Sequence, residues 1–459
     1  MSPANPVIIP RAQHSISRKL LSPNALRVLY RLRDNGFTAY LVGGCVRDLL
    51  LGREPKDFDV VTDATPGQLK RLFRNCRLIG RRFRLAHLHF QDEIIEVATF
   101  RSTEADEPEG EALPVTPGNS SAEGERELRR QPRQLKNEDG MVLRDNVFGT
   151  PEEDALRRDF TVNALFYNVV DFSIIDYAKG MADLTSGKIR TIGDPTIRFT
   201  EDPVRMLRAV RFAAMLGFDV EPGSRQVLLE LNATISRAAP PRLYEEVQKL
   251  LLLGAGEKTY QMLRQTGLFA ALFPHFSSWL DTETDGFPHV RVGQALYWVD
   301  IQIGEGNKIQ PQLLLTLLFG QYLEEKEERF RLEGAPPQLA IAMAVAEFMG
   351  ETAPTVHIPQ RVGLQIREIL AAQQRFGKMP GKRTLSFIGR PGFAAALDYL
   401  RFTTSTKGAK SKIVAWWERF ILENPTAPPQ EGAAESEAEP RRRSRRRRGK
   451  KKASPAEPG

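Results

Sequence analysis

Cysteine is almost absent from the chain, with only Cys45 and Cys76 among 459 residues. Both sit in apolar or basic surroundings, which argues against a disulfide framework and for a reducing compartment, the cytoplasm. No apolar run is long enough to cross a bilayer. The opening "MSPANPVIIPRAQHSISRK" lacks the ordered basic, apolar and small-residue regions of a secretory signal. The expectation is a soluble cytoplasmic protein with no membrane partner. Histidine is sparse, six in all, and none is spaced from Cys, Asp or Glu as metal ligands are, which disfavours a zinc site or a His-Asp phosphohydrolase centre. The motifs G-x-S-x-G, Walker A and G-x-G-x-x-G are missing. So is positive charge over most of the length. The net charge is +8, but "RRRSRRRRGKKK" at 441–452 holds ten cations, and taking those away leaves −2.

What remains has the length for two or three folded units. Before the basic run lies "TAPPQEGAAESEAEP", too poor in apolar residues to fold, so 426–459 reads as a disordered basic tail. Arg441, Arg442, Arg443, Arg445, Arg446, Arg447 and Arg448 suit nucleic-acid phosphates better than an acidic protein patch or an anionic membrane, and would bind RNA without choosing its sequence.

In the first hundred residues helical and strand patterns alternate. "SPNALRVLYRLRDNGF" has Ser22 as N-cap and Pro23 at the first helical position; "TAYLVGG" reads as a strand, "CVRDLLLG" as a helix and "DFDVV" as a second strand. A short helix follows "DATP", then strands "RLAHLHF" and "IIEVATF". This is the pattern of an α/β unit. Periodicity is lost over 102–145, read as a mobile or functional loop. It returns at Thr150, where Pro151 and Glu153 complete a capping-box start. The segment "SIIDYAKGMADLTSGKIRTIG" reads as strand or hairpin, and from Thr200 to about 425 the pattern is almost wholly helical.

Two constellations could carry chemistry. In a strand, Asp57 and Asp59 would share one face, with Phe58 and Val60 toward the core. Two like charges so placed call for a cation between them. Mg²⁺, which takes a few carboxylates together with water and substrate phosphates, fits. A solvated strand end is the plainer reading. Gly43 and Gly44, at a strand-to-helix junction, would let backbone N–H groups approach a phosphate, and Arg47 in the first turn could add a charge-assisted contact. A tight structural turn, with Arg47 paired to Asp48, is the alternative. The second constellation is helical. Asp202, Arg205 and Arg208 follow at i+3 as one polar row, which could equally be a salt-bridge ladder. Arg158, Asp159 and Asn163 punctuate an apolar segment, where they form either a core network or a third catalytic carboxylate with ligand contacts.

Taken together, "LVGGCVRDLLLG…KDFDVVTDATP", "RRDFTVNALFYN" and "EDPVRMLRAVRFAAMLGF" resemble, in order and spacing over residues 14–255, the class II nucleotidyltransferases, which include tRNA CCA-adding enzymes and bacterial poly(A) polymerases. "IPRAQHSISR", "CRLIGRRFRLAHLHF", "MVLRDNVFGTPEEDA" and the basic terminus resemble the poly(A) polymerase branch; where the CCA-adding branch would read Gly-Thr, this chain has Arg81, Arg82, Phe83 and Arg84. The resemblance implies an α/β, polymerase-β-like nucleotidyltransferase head, an all-α neck and body, and the disordered basic tail. The expected divisions are an arm at 1–22, the head at 23–190, the neck at 191–260, the body at 261–425 and the tail at 426–459. It further implies template-independent addition of AMP from ATP to RNA 3′ ends in poly(A) tailing and RNA turnover. Asp57 and Asp59 would bind two Mg²⁺ ions, with Mn²⁺ as the substitute, and Asp159 would be the third acidic residue, with Glu96 as its alternative. Gly44, Arg47, Arg158, Arg205 and Arg208 would contact the nucleotide, with Gly43 and Asn163 beside them, and Asp202 with Arg205 would read the base. ATP and RNA 3′ ends are the expected partners; RNA-degradation proteins are partners the sequence does not identify. The competing expectation is a tRNA nucleotidyltransferase adding C and A.

Overall fold

The computed structural model describes residues 5–80, 85–102, 135–136, 142–144, 148–282, 288–377, 384–407 and 411–425. The tail at 426–459 and most of the expected loop at 102–145 lie outside the described residues.

The head is built on one mixed sheet. Its strands are β1 (Val7–Ile9), β2 (Ala39–Val42), β3 (Asp59–Thr62), β4 (Cys76–Ile79), β5 (Leu85–His89), β6 (Ile94–Thr99), β9 (Leu165–Tyr167) and β10 (Ile174–Asp176), in the spatial order β1-β10-β9-β2-β3-β6-β5-β4. A separate two-strand ladder is made by β7 (Leu135–Lys136) and β8 (Val142–Arg144). Within this eight-stranded sheet β3 and β6 are the parallel neighbours, with Asp59 opposite Glu96. The arm contributes more than the sequence shows: its short β1 pairs antiparallel with β10 and forms one edge of the sheet.

Local chemistry explains the helices around this sheet. Helix α1 (Pro23–Asp34) starts at Ser22, whose hydroxyl accepts from the amides of Asn24 and Ala25 at 3.1 and 3.2 Å, as the sequence leads one to expect. Helix α2 (Gly44–Leu50) follows β2 directly, α3 (Pro66–Leu72) opens on a Thr65–Gln68 capping box, and α4 (Pro151–Leu156) opens on the Thr150–Glu153 box. The sheet's main face packs into the large core through Leu41, Val60, Val97, Ala86 and Leu88. A smaller cluster that includes Val42, Val61, Phe100 and Phe166 covers part of the other face.

Two expectations are corrected. The segment read as strand or hairpin contains helix α5 (Gly180–Ser186) between β10 and the short β11 (Lys188–Ile189). The reason is Asp176, whose carboxylate accepts from the amides of Ala178, Gly180 and Met181 at 2.9–3.1 Å and so turns the chain into a helix. Among the described residues between Thr200 and 425 the helical pattern is interrupted by one short strand, β12 (Asp219–Val220), which pairs parallel with β11.

The neck holds α6 (Pro195–Glu201), α7 (Val204–Leu216), α8 (Pro222–Leu231) and α9 (Pro240–Leu251); the body is a stack of helices with Pro311–Leu332, Pro337–Thr352 and Gln360–Phe376 at its centre. Here Phe273, Phe276 and Phe348 surround Phe319 with centroids 4.6–5.1 Å apart, the first two edge-to-face and Phe348 tilted. Among the described residues no helix is long and apolar enough to cross a membrane.

Candidate active site

Strand β3 begins at Asp59, so the expectation of two aspartates within one strand is corrected: Asp57 lies two residues ahead of it and is exposed. The pairing stops there because β2 ends at Val42, where the chain turns at Gly43, and the last β2–β3 partners are Leu41 and Val60. The side chains separate as expected, Phe58 and Val60 packing in the main core.

Gly43 has φ +80°, a conformation open to glycine and costly to other residues. A Cβ there would come 3.3 Å from Arg158 Nη1 and 3.9 Å from Asp59 Oδ2, so the glycine backbone lies between a guanidinium and a carboxylate. Its own N–H is donated to Leu165 O at 3.3 Å, which removes that amide from the expected phosphate cradle.

Asp59 is the most perturbed carboxylate of the centre. Burial pushes its pKa up to about 6, Glu96 and Asp57 add to the rise, and Arg158 works against it. Asp59 therefore feels two other carboxylates, Glu96 across the β3–β6 ladder and Asp57 two residues earlier in the chain. An acid whose folded pKa exceeds its ordinary value stabilises the fold at low pH, and that contribution disappears as pH rises through the folded value. Here the window runs from about 4 to 6 and beyond. In metal-free buffer at pH 8, Asp59→Asn is expected to raise stability by up to about 3 kcal/mol, with no gain below pH 4; thermal unfolding across pH checks it.

Asp159 is engaged by other groups. Its carboxylate is paired by Arg208 at 2.6 Å and accepts from Asn163 Nδ2 at 3.3 Å and from the Phe160 amide at 2.9 Å. Burial would raise its pKa, but the Arg208 guanidinium and the hydrogen bonds outweigh that and hold it at about 2. Arg47 is buried and equally engaged, with Asp48 at 2.7 Å and Asn163 Oδ1 at 2.7 Å. Asp48, Arg47, Asn163, Asp159 and Arg208 thus form one continuous polar network, which joins α2 to the segment after α4 and to α7. Arg158 pairs with Asp154 at 2.9 Å and lies over the Phe166 ring.

The expected helical row of Asp202, Arg205 and Arg208 is also corrected. Asp202 is extended, with φ −149°, at the end of α6, because the following Pro203 disfavours helix there; α7 starts only at Val204. Its carboxylate receives a bidentate pair from Arg242 of α9, both bonds 2.8 Å. Arg205 bonds Glu201 at 3.4 Å and the Arg198 carbonyl at 3.0 Å, while Arg198 ties α6 back to the carbonyls of Arg157 and Arg158. Arg242, Arg198 and Glu201 were not singled out in the sequence, although the spacing of 198, 201 and 205 is that of helical ion pairs.

Among the described residues no set of three His, Cys, Asp or Glu side chains is arranged to hold a metal ion by itself. The donor set nonetheless fits Mg²⁺: oxygen ligands only, one exposed and one partly buried aspartate, and an Asp59 carboxylate whose pKa is lifted first by burial and then by the charges of Glu96 and Asp57. Mg²⁺ needs one or two carboxylates, water and substrate phosphates.

A mixed sheet with clustered carboxylates at a Gly-Gly turn, followed by helical neck and body, defines a nucleotidyltransferase. Family models agree: "Poly A polymerase head domain" matches residues 39–190, "Probable RNA and SrmB- binding site of polymerase A" 217–280, and "Polymerase A arginine-rich C-terminus" 333–452. Poly(A) polymerase I of Salmonella typhi is 43% identical over 427 residues, 92% of this chain and 87% of that protein. Poly(A) polymerase I of Haemophilus influenzae is 41% identical over 420 residues, 91% of this chain and 88% of that protein. The chain belongs to the poly(A) polymerase I family. The CC-adding tRNA nucleotidyltransferase of Halalkalibacterium halodurans is 33% identical over 244 residues, 53% of this chain and 52% of that protein. In solved structures the fold recurs in the Bacillus stearothermophilus CCA-adding enzyme in complex with CTP, with TM-score 0.56 at 24% identity, covering 88% of this chain and 84% of that one.

Proposed function

We propose that this polynucleotide adenylyltransferase joins AMP from ATP to RNA 3′ ends at the open end of β3 and β6, in the cytoplasm. Kinship at 41–44% identity over 91–93% of the chain carries the activity. The 3′-hydroxyl oxygen attacks the α-phosphorus, the bond to the β-phosphate breaks, and pyrophosphate leaves in line. Asp57 and Asp59 would hold two Mg²⁺ ions, with Mn²⁺ as substitute. Bound there, Mg²⁺ supplies the positive charge that clustered carboxylates and a triphosphate both require.

The residues of the chain then divide the work. Register favours Glu96 over Asp159 as third carboxylate, since Glu96 lies opposite Asp59 whereas Asp159 is taken up by Arg208. Arg158, which opposes the rise of the Asp59 pKa, would meet the triphosphate. Asp202, held in one orientation by Arg242, would offer its carboxylate to the base edge together with Arg205. Gly44, Arg47, Asn163 and Arg208 complete the nucleotide's surroundings, Arg47 and Asn163 by bracing the polar network. The basic tail would add affinity for RNA backbone.

Product length tests this reading. Incubated with ATP and an unstructured RNA, the full chain is expected to build long A tails. Addition of only one to three nucleotides, confined to tRNA and requiring CTP, would instead establish a tRNA nucleotidyltransferase.

A further inference from the structure

The row of side chains that begins at Asp59 continues past Glu96. Glu96 on β6 is the register partner of Asp59 on one side and of His87 on β5 on the other. His87 Nε2 lies 3.2 Å from Glu96 Oε1, and the two side chains are 19% and 45% exposed. Among the described residues, His87 is the side-chain partner of Glu96. The other group that Glu96 is known to influence is Asp59, whose pKa it raises. A glutamate this open would sample several rotamers without a partner.

We infer that His87 is a positioning residue of the catalytic centre: its imidazole anchors the Glu96 carboxylate on the side away from Asp59 and so presents the other carboxylate oxygen toward the aspartates. The inference rests on the reading of Glu96 as third carboxylate. Geometry supports it in two ways. The three residues lie on adjacent strands at one level of the sheet, and strands are about 4.8 Å apart, so an anchor on β5 and a demand from β3 pull on the same side chain from opposite directions. His87 Nε2 is also buried and has no hydrogen-bond partner among the described residues; its 3.2 Å approach to Glu96 Oε1 falls short of hydrogen-bond alignment, so a small turn of the glutamate toward it would satisfy both groups. The ordinary alternative is a half-exposed pair that adds little stability and nothing to catalysis.

A partner that orients a metal-binding carboxylate changes metal affinity or activity about 10–100-fold when removed. In the full chain, His87→Ala is therefore expected to lower kcat by about that factor and to raise the Mg²⁺ concentration needed for half-maximal rate, while KM for the RNA primer stays the same. His87→Gln, whose amide N–H can reach the carboxylate, recovers part of the loss. Binding gives a readout without turnover: calorimetric affinity for a non-reacting ATP analogue falls in Mg²⁺ and is unchanged in EDTA. In a Glu96→Gln background, His87→Ala has no further effect on either quantity. An unchanged kcat and Mg²⁺ dependence in His87→Ala, an equal loss in the Glu96→Gln background, or a change confined to the unfolding temperature would overturn the positioning role. If His87→Ala does not fold, wild-type rates together with wild-type Mg²⁺ dependence in a folded His87→Leu variant serve the same purpose. A fully active Glu96→Gln protein would overturn the site reading itself and the inference with it, so the two failures are distinguishable.

Discussion

Asp59→Ala is expected to reduce AMP incorporation into an unstructured RNA by about 10³-fold or more. The magnitude follows from the charge involved. A divalent cation contributes several kcal/mol of transition-state stabilisation in phosphoryl chemistry, and each 1.36 kcal/mol is a factor of ten in rate. Asp59 is the residue on which the site converges, flanked by Asp57 in the chain, by Glu96 across the β3–β6 ladder and by Arg158 beside Gly43. The variant should fold well, since it removes a carboxylate whose charge is disfavoured by burial and by Glu96 and Asp57 in the metal-free chain. Labelled-ATP incorporation by a variant with intact far-UV circular dichroism is the measurement, and near-normal rates would refute the assignment.

Arg208→Met is expected to destabilise the head and neck by about 3 kcal/mol at neutral pH, because it strands Asp159, whose side chain is 10% exposed, without its cation. The loss depends on pH with a definite sign. Asp159 has a folded pKa of about 2, below its ordinary value, so its pairing stabilises the fold above about pH 4 and the contribution fades as pH falls toward 2. The gap in unfolding midpoint between wild type and Arg208→Met should therefore be full at pH 7 and narrow in acid. A gap that widened as pH fell would show that the carboxylate is not the partner that matters. Activity should fall as well, since the network anchors Arg47 and Asn163 beside the Gly43 turn.

Much of the head was readable from periodicity and caps. Ser22 with Pro23, and Thr150 with Glu153, start helices where their chemistry demands, and the apolar alternation of 85–89 and 94–99 gives the strands that carry His87 and Glu96. Failures came where a side chain or a neighbour overruled the local pattern. Asp176 folds its own carboxylate back onto three amides and starts a helix inside a strand-like stretch. Pro203 detaches Asp202 from the helix its i+3 spacing implies, leaving it to Arg242 forty residues later.

The site divides along the same line. A glycine pair, an Asp-x-Asp and two arginine-containing segments each had a plain structural reading by itself; their order and spacing together resemble the nucleotidyltransferases, and that resemblance pointed to the chemistry. Tertiary structure decided which of them work together. Strand pairing brings Glu96 to Asp59 and His87 to Glu96 from 37 and 9 residues away in the chain, and it leaves Asp159 to Arg208. Such partnerships depend on which strand lies beside which and in what register, and that is fixed by the packing of both sheet faces, on which local periodicity is silent.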